Sequence, residues 1–351
     1  WDWGLMDDLT ILNAGNGILE RFWERSVQIT SFGEFTPISA LHSAIFYSIF
    51  EHCPDKFYIF KALEICLIIL LWGFLAFRIT KNILSIVLVP VITLSFHYFY
   101  DGFFYLSSQE PAGLLFLGIA LYFFLKNLEP FLIDEQKLKD LSAKFNWGYW
   151  FIGLIFLFCA YGTKEPFISG GLALGLSYLY LCLKYHRTRY FRSFMLAGLF
   201  VVLITLTYGF FLLCGIRNNY SSHYIMSIPR MVSNLGPWLK KDFFNHIPWI
   251  LLLVSLCCIN RADLKKSVLK ARLGIKWAAL LGLLFYALYL FVLLPWNAIG
   301  YYAGPLGLFF AFFTTILISG FMSKINLRRQ MVIVICFLVL NQVVCQYALN
   351  R

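Results

Sequence analysis

Two adjacent carboxylates, Asp7 and Asp8, are the first residues of this chain with the means to do chemistry. Held side by side near a low-dielectric boundary they raise one another's pKa, which suits one to accept a proton while the other orients a substrate. Glu34 follows, in Ser31-Phe32-Gly33-Glu34-Phe35-Thr36-Pro37-Ile38. Asp101 and Glu110 stand among the Tyr and Phe residues of 97–110, a composition that fits a sugar-stacking platform and equally an interfacial aromatic belt. Glu110 directly precedes Pro111 and an apolar run, so its carboxylate can face a cavity at the boundary. Lys164, in Gly162-Thr163-Lys164-Glu165-Pro166, is a cation able to stabilise developing phosphate charge in a water-poor cleft. Its plainer roles are a contact with Glu165 or snorkelling to lipid phosphate. Arg217, Arg230, Lys240, Lys241, His223 and His246 fall within 217–246, enough for an anion-binding lid. Tyr302 belongs to the aromatic turn Trp296-Asn297-Ala298-Ile299-Gly300-Tyr301-Tyr302-Ala303-Gly304-Pro305, which packing explains as well as binding does.

The elements that must position these side chains belong to a bilayer. Of the 351 residues 60% are hydrophobic and only 13% charged, with a mean hydropathy of +0.73, where a soluble domain has about a quarter charged. A water-soluble globule, a disordered chain, collagen and a disulfide scaffold are excluded. Apolar runs near 57–77, 82–100, 111–126, 147–162, 166–185, 194–215, 247–259, 275–296, 301–322 and 331–348 read as ten candidate spans. The runs at 147–162 and 247–259 are short for a hydrocarbon layer of about 30 Å, and each could be tilted or re-entrant.

Charge tests that count. If residue 1 lies outside and every run crosses, 19 of the 29 Lys and Arg fall on the inner side and 13 of the 18 acids on the outer side, as the positive-inside rule asks. Both basic clusters, Lys184 to Arg192 and Arg261 to Lys276, are inside only with all ten crossings. The net charge of +11 is therefore a matter of topology rather than a sign of nucleic acid. The nine cysteines sit mostly in apolar runs and spell no disulfide framework. No signal peptide is legible, and the start at Trp1 in a polar stretch leads to the expectation of a further span upstream.

The expected fold is all-α: a polytopic transmembrane helix bundle forming one membrane domain over 1–351. Residues 1–56 form the first extracytoplasmic loop, with an interfacial helix over Ser39 to Phe50 that Pro37 can start. Residues 57–348 form the bundle, including the 216–246 outer loop, and the inner segment 126–146 reads as a short charged surface helix. Function is expected in the outer segments 1–56, 97–110 and 216–246. There is no phosphate-cradling Gly loop, His-Glu-x-x-His, Cys-x-x-Cys or Gly-x-Ser-x-Gly, so ATP-driven transport, zinc chemistry and serine hydrolysis lack motif support.

Taken together, these stretches resemble the C-type (GT-C) membrane glycosyltransferases, which take sugar from a polyprenyl phosphate or diphosphate on the non-cytoplasmic side. Asp7-Asp8 resembles the acidic pair that follows that family's first span. Gly33-Glu34-Phe35-Thr36-Pro37-Ile38 is similar to its Gly-Arg-Phe-x-Pro-Leu or Glu-Lys-Pro-Pro-Leu stretch, Thr163-Lys164-Glu165-Pro166 to its Thr-Lys-Gly/Glu-Pro turn, and Tyr301-Tyr302-Ala303-Gly304-Pro305 to its late Tyr-rich turn. The resemblance spans residues 1–322 in order. The chain departs from it at Glu34, in place of one Arg, at Phe35, in place of a Lys, and at Gly300, in place of a late Arg.

The resemblance implies inverting transfer of a hexosyl or pentosyl group from undecaprenyl- or dolichyl-phosphate to a hydroxyl of a glycan, lipid or protein. Asp7 would then be the general base, Asp8 and Glu34 would orient hydroxyls, and Asp101 or Glu110 would line the far wall. Lys164 with Arg230, joined by Arg217 and Tyr302, would hold the donor phosphate. No protein metal-ligand set is legible, although carboxylates could bring in Mg or Mn. The bacterial plasma membrane is favoured over the ER membrane. The rivals are a transporter or flippase of a lipid-linked saccharide, and a saccharide polymerase or ligase dependent on outer arginines. Transport predicts ionisable residues near mid-membrane and symmetric halves, neither of which is legible in the sequence.

Overall fold

In the computed structural model the described residues are 17–31, 36–50, 53–96, 99, 109–132, 144–216, 227–236, 249–250, 273–294, 304–322, 329–330, 332–336 and 339. Among them there is no strand. The helices are α1 (Ile18–Ser31), α2 (Pro37–Phe50), α3 (Pro54–Thr80), α4 (Leu84–Leu94), α5 (Glu110–Leu128), α6 (Trp147–Tyr161), α7 (Ile168–Lys184), α8 (Phe191–Ile216), α9 (228–236), α10 (Leu273–Leu293) and α11 (Gly304–Met322). Among the described residues five stretches, Asp55–Thr80, Glu110–Phe131, Glu165–Lys184, Phe191–Phe211 and Leu273–Leu293, are long and apolar enough to cross a bilayer.

The shorter apolar helices alter the sequence-based picture in detail. The run at 82–100 holds α4, 11 residues long and so about 16 Å, with Pro90 inside it. Helix α6 has 15 residues, about 22 Å, yet it runs from one end of the bundle to the other. At its start the Asn146 side chain caps Tyr149 N–H, and Asn146 N–H donates to Asn127 Oδ1 at 2.8 Å. At its finish Gly162 reaches α2.

One end of the bundle carries the basic residues and is closed by polar contacts. Arg78 of α3 pairs with Glu129 and lies over the Tyr122 ring. Ser85 bonds both Thr80 at 2.7 Å and Ser319 at 2.8 Å, and Asn82 Nδ2 donates to Gln330 Oε1 at 3.2 Å. Tyr185 hydroxyl donates to the Phe131 carbonyl at 2.6 Å. Between the ends the packing is aromatic. Trp72, fully buried, donates from Nε1 to the Leu114 carbonyl and meets Phe285, Phe309 and Phe312 at 5.2–5.9 Å, joining α3, α5, α10 and α11.

The outward faces are what lipid requires. On α8, Leu199, Leu203, Leu206 and Phe210 recur at three- and four-residue spacing and are all exposed. Its opposite face meets α7 so closely that a Cβ on Gly175 would stand 3.2 Å from the Gly198 carbonyl, and one on Gly198 3.1 Å from that of Gly175. Small residues at such crossings let helix backbones approach inside a membrane.

Candidate functional site

Three segments meet at the end of the bundle opposite the basic residues. The first is the start of α2. Thr36, 1% exposed, precedes Pro37 at the first helical position, where the missing N–H costs nothing. The next two amides, Ile38 and Ser39, lack partners within their own helix and donate instead to the Gly162 carbonyl, at 2.8 and 3.1 Å. Gly162 ends α6, so its carbonyl is itself spare, and the two helix termini satisfy each other. A Cβ at 162 would come within 2.6 Å of Ile38 Cγ1, so this docking needs glycine.

The second segment is the turn that follows. Thr163 Oγ1 donates to the Ala160 carbonyl at 2.6 Å, finishing α6. Lys164 is extended (φ −160°, ψ 139°) and only 8% exposed. Glu165, Pro166 and Phe167 make one turn of 3-10 helix, closed by Ser169 Oγ donating to the Pro166 carbonyl at 2.6 Å. Tyr208 of α8 lies within electrostatic reach of the half-buried Glu165 and donates to the Tyr161 carbonyl at 3.3 Å. Tyr161 in turn bonds Thr205 at 2.7 Å.

The third segment is the start of α5. Phe167, fully buried, presses against Gly113, where a Cβ would fall within 2.0 Å of its ring, and stacks obliquely on Tyr289 of α10. Glu110 lies one turn before Gly113 on α5 and is 1% exposed. The structure thus brings the turn holding Lys164 between the starts of α2 and α5. A buried cation and a buried carboxylate at one junction can hold an anionic group and a hydroxyl, respectively.

Arg230 sits on the short helix α9, which Asn234 Nδ2 ties to the Leu294 carbonyl at 2.8 Å, just past the end of α10. Asp7, Asp8, Glu34, Asp101, Arg217 and Tyr302 lie outside the described residues, as do the 247–259 run apart from Trp249 and Ile250, most of 331–348, and residues 133–143 of the inner segment. Among the described residues no group of three His, Cys, Asp or Glu stands close enough to hold a metal ion.

One cluster was not legible as a site. Glu64 of α3 is 2% exposed; Lys61 Nζ donates to its Oε2 at 3.2 Å, and His42 Nε2 of α2 lies 3.4 Å from its Oε1. The His42 ring rests edge-on against Phe46, whose ring meets Phe60 at 3.9 Å, while Tyr47 and Phe50 meet Phe57. Helix α2 is therefore an antiparallel neighbour of the first turns of α3. Lys61 and Glu64, three residues apart, fall inside the 57–77 run and are buried there. Ionisable residues within a span are functional candidates by position alone, which was the available signal. In comparisons with known proteins, no family model, curated protein or solved structure matches the chain.

Proposed function

We propose that this chain is a ten-span inverting glycosyltransferase, moving a sugar from a polyprenyl phosphate to a hydroxyl acceptor on the non-cytoplasmic side of a bacterial plasma membrane. One observation carries the proposal. The Thr36–Ile38 end of the stretch resembling the GT-C interfacial motif packs directly on the turn resembling the Thr-Lys-Gly/Glu-Pro motif, through two amides on the Gly162 carbonyl. Two segments 124 residues apart in the chain (38 to 162) have that contact as their common purpose if both serve one site. Lys164 is buried beside it, with Glu110 on the neighbouring helix start.

In this mechanism Asp7 takes the acceptor hydroxyl proton as the oxygen attacks the anomeric carbon, and the sugar–phosphate bond breaks with its electron pair passing to the phosphate oxygen. Lys164, with Arg217, Arg230 and Tyr302, compensates the charge that develops there. Asp8, Glu34, Asp101 and Glu110 orient hydroxyls. The test is transfer by purified protein from a panel of synthetic polyprenyl-phosphate sugars, comparing wild type with Asp7→Asn and Lys164→Ala. Transfer by wild type, lost in Asp7→Asn while donor still binds, is the expected result. Undiminished transfer removes Asp7 from the mechanism.

A second function is favoured by one observation, the buried His42–Glu64–Lys61 cluster. A carrier of lipid-linked saccharide would use such a group to couple movement to protonation. Movement of labelled lipid across proteoliposomes, with no transfer from any donor, would select it.

A further inference from the structure

Helix α2 is held at three levels. Its first amides dock on Gly162, its last turns pack by aromatic contact on Phe57 and Phe60, and between them His42 meets the buried carboxylate of Glu64. The N-terminal docking uses a single carbonyl oxygen, which fixes a point rather than an angle, and α1 packs along the same helix. The aromatic contacts are non-directional and tolerate sliding. The His42–Glu64 contact adds a polar tie midway, with Nε2 3.4 Å from Oε1, and Glu64 is itself fixed by Lys61, which donates to its other oxygen from the preceding turn of α3.

Placing charge there is costly. Helix α3 has 27 residues, about 40 Å of helix against about 30 Å of hydrocarbon. With Arg78 at the basic boundary, a 20-residue crossing begins near Tyr58, so Lys61 and Glu64 lie just below the opposite boundary. A well-packed apolar trio would bind the two helices without desolvating three polar groups. What a carboxylate adds over an apolar contact is a fixed direction for the imidazole, and hence a fixed angle for the helix that carries it.

We propose that Glu64 and His42 are positioning residues that set α2 over the Lys164 turn, so that the Thr36–Ser39 segment closes correctly on the proposed substrate site. The proposal rests on the glycosyltransferase function for its kinetic consequence and on the geometry alone for its structural one. Misplacement by about 1 Å at a reacting centre can lower the rate about a hundredfold.

The test has two arms. In the first, transfer is measured for His42→Ala, His42→Gln and Glu64→Gln in the full chain. His42→Ala is expected to lower kcat about 10- to 100-fold with little change in donor KM. His42→Gln, whose side-chain N–H occupies the place of Nε2–H, is expected to recover most of that loss. The second arm needs no activity. Lys164→Cys in a cysteine-free background is labelled by a water-soluble maleimide, with and without His42→Ala. Labelling is expected to quicken several-fold when His42 is removed and to slow again with Gln at 42, while a control cysteine at Arg187, on the basic end, is unaffected. Equal labelling rates at 164 in all three overturn the proposal, as does a rise at both cysteines, which marks general loosening. Faster labelling at 164 alone, when the wild-type chain transfers no sugar from any donor, sustains the positioning role and sets aside the glycosyltransferase function.

Discussion

The amide of Ile38 donates to the carbonyl of Gly162 at 2.8 Å, joining the first turn of one helix to the last residue of another. The bond lies in the interior, beside Thr36 and Lys164, both buried. Gly162→Ala puts a methyl within 2.6 Å of Ile38 Cγ1. Overpacking of this kind costs about 1–3 kcal/mol. The expected result is a lower unfolding temperature in detergent together with proteolysis near residues 33–38. Unchanged protease resistance would show that α2 is held without this contact.

Glu110 is 1% exposed at the start of α5, across Phe167 from the Lys164 turn. If it orients a hydroxyl, Glu110→Gln keeps the shape of the side chain but loses the charge. Sugar transfer is then expected to fall about 10- to 100-fold, with an unfolding temperature within a few degrees of wild type. Transfer at the wild-type rate would remove Glu110 from the site.

Trp72 joins four helices through its ring and through Nε1 to the Leu114 carbonyl at 3.2 Å. Trp72→Ala is expected to cost about 3–5 kcal/mol. Trp72→Phe, which keeps most of the ring contact and drops the hydrogen bond, should cost about 1 kcal/mol. Thermal unfolding of the two variants, side by side, checks the ordering. Equal losses would mean that the hydrogen bond outweighs the packing.

Arg78 and Glu129 pair at the basic end, with Glu129 36% exposed and Lys81 3.7 Å from its second oxygen. Ion pairs this close to solvent are worth about 1 kcal/mol or less. Glu129→Gln should therefore move the unfolding temperature only slightly. Arg78→Leu should cost more, because the guanidinium is 12% exposed and also covers Tyr122. The comparison is read in low and high salt, where the Glu129→Gln loss should shrink.

Helical content and the presence of apolar helices long enough to cross a bilayer were legible because composition and the length of apolar runs report on them directly. Pro37 marked the first turn of α2, and Gly162 to Pro166 was recognisable as a turn joining two helices. What sequence could not reveal was contact between distant segments. Nothing in the spacing of His42 and Glu64 says that they meet, since their pairing depends on how α2 folds back along α3. Lys61 and Glu64 were passed over because a window average over 57–77 stays apolar despite two charges. The short α4 was overestimated for the related reason that hydropathy does not register the turn at Ser95 that ends the helix.

The close approach of Gly175 and Gly198 reaches beyond local packing. In lipid there is no water to expel from between two apolar helices, so α7 and α8 cohere through dispersion and near-contact of their backbones rather than through hydrophobicity. A gap of about 0.5–1 Å already forfeits about a quarter to a half of that attraction. Only a short link, residues 185–190, parts these two helices in the chain, so their partnership is local and can form as the segment enters the bilayer. The α7–α8 hairpin is thus a stiff post set early in assembly, and the turn bearing Lys164, leading directly into α7, inherits its rigidity.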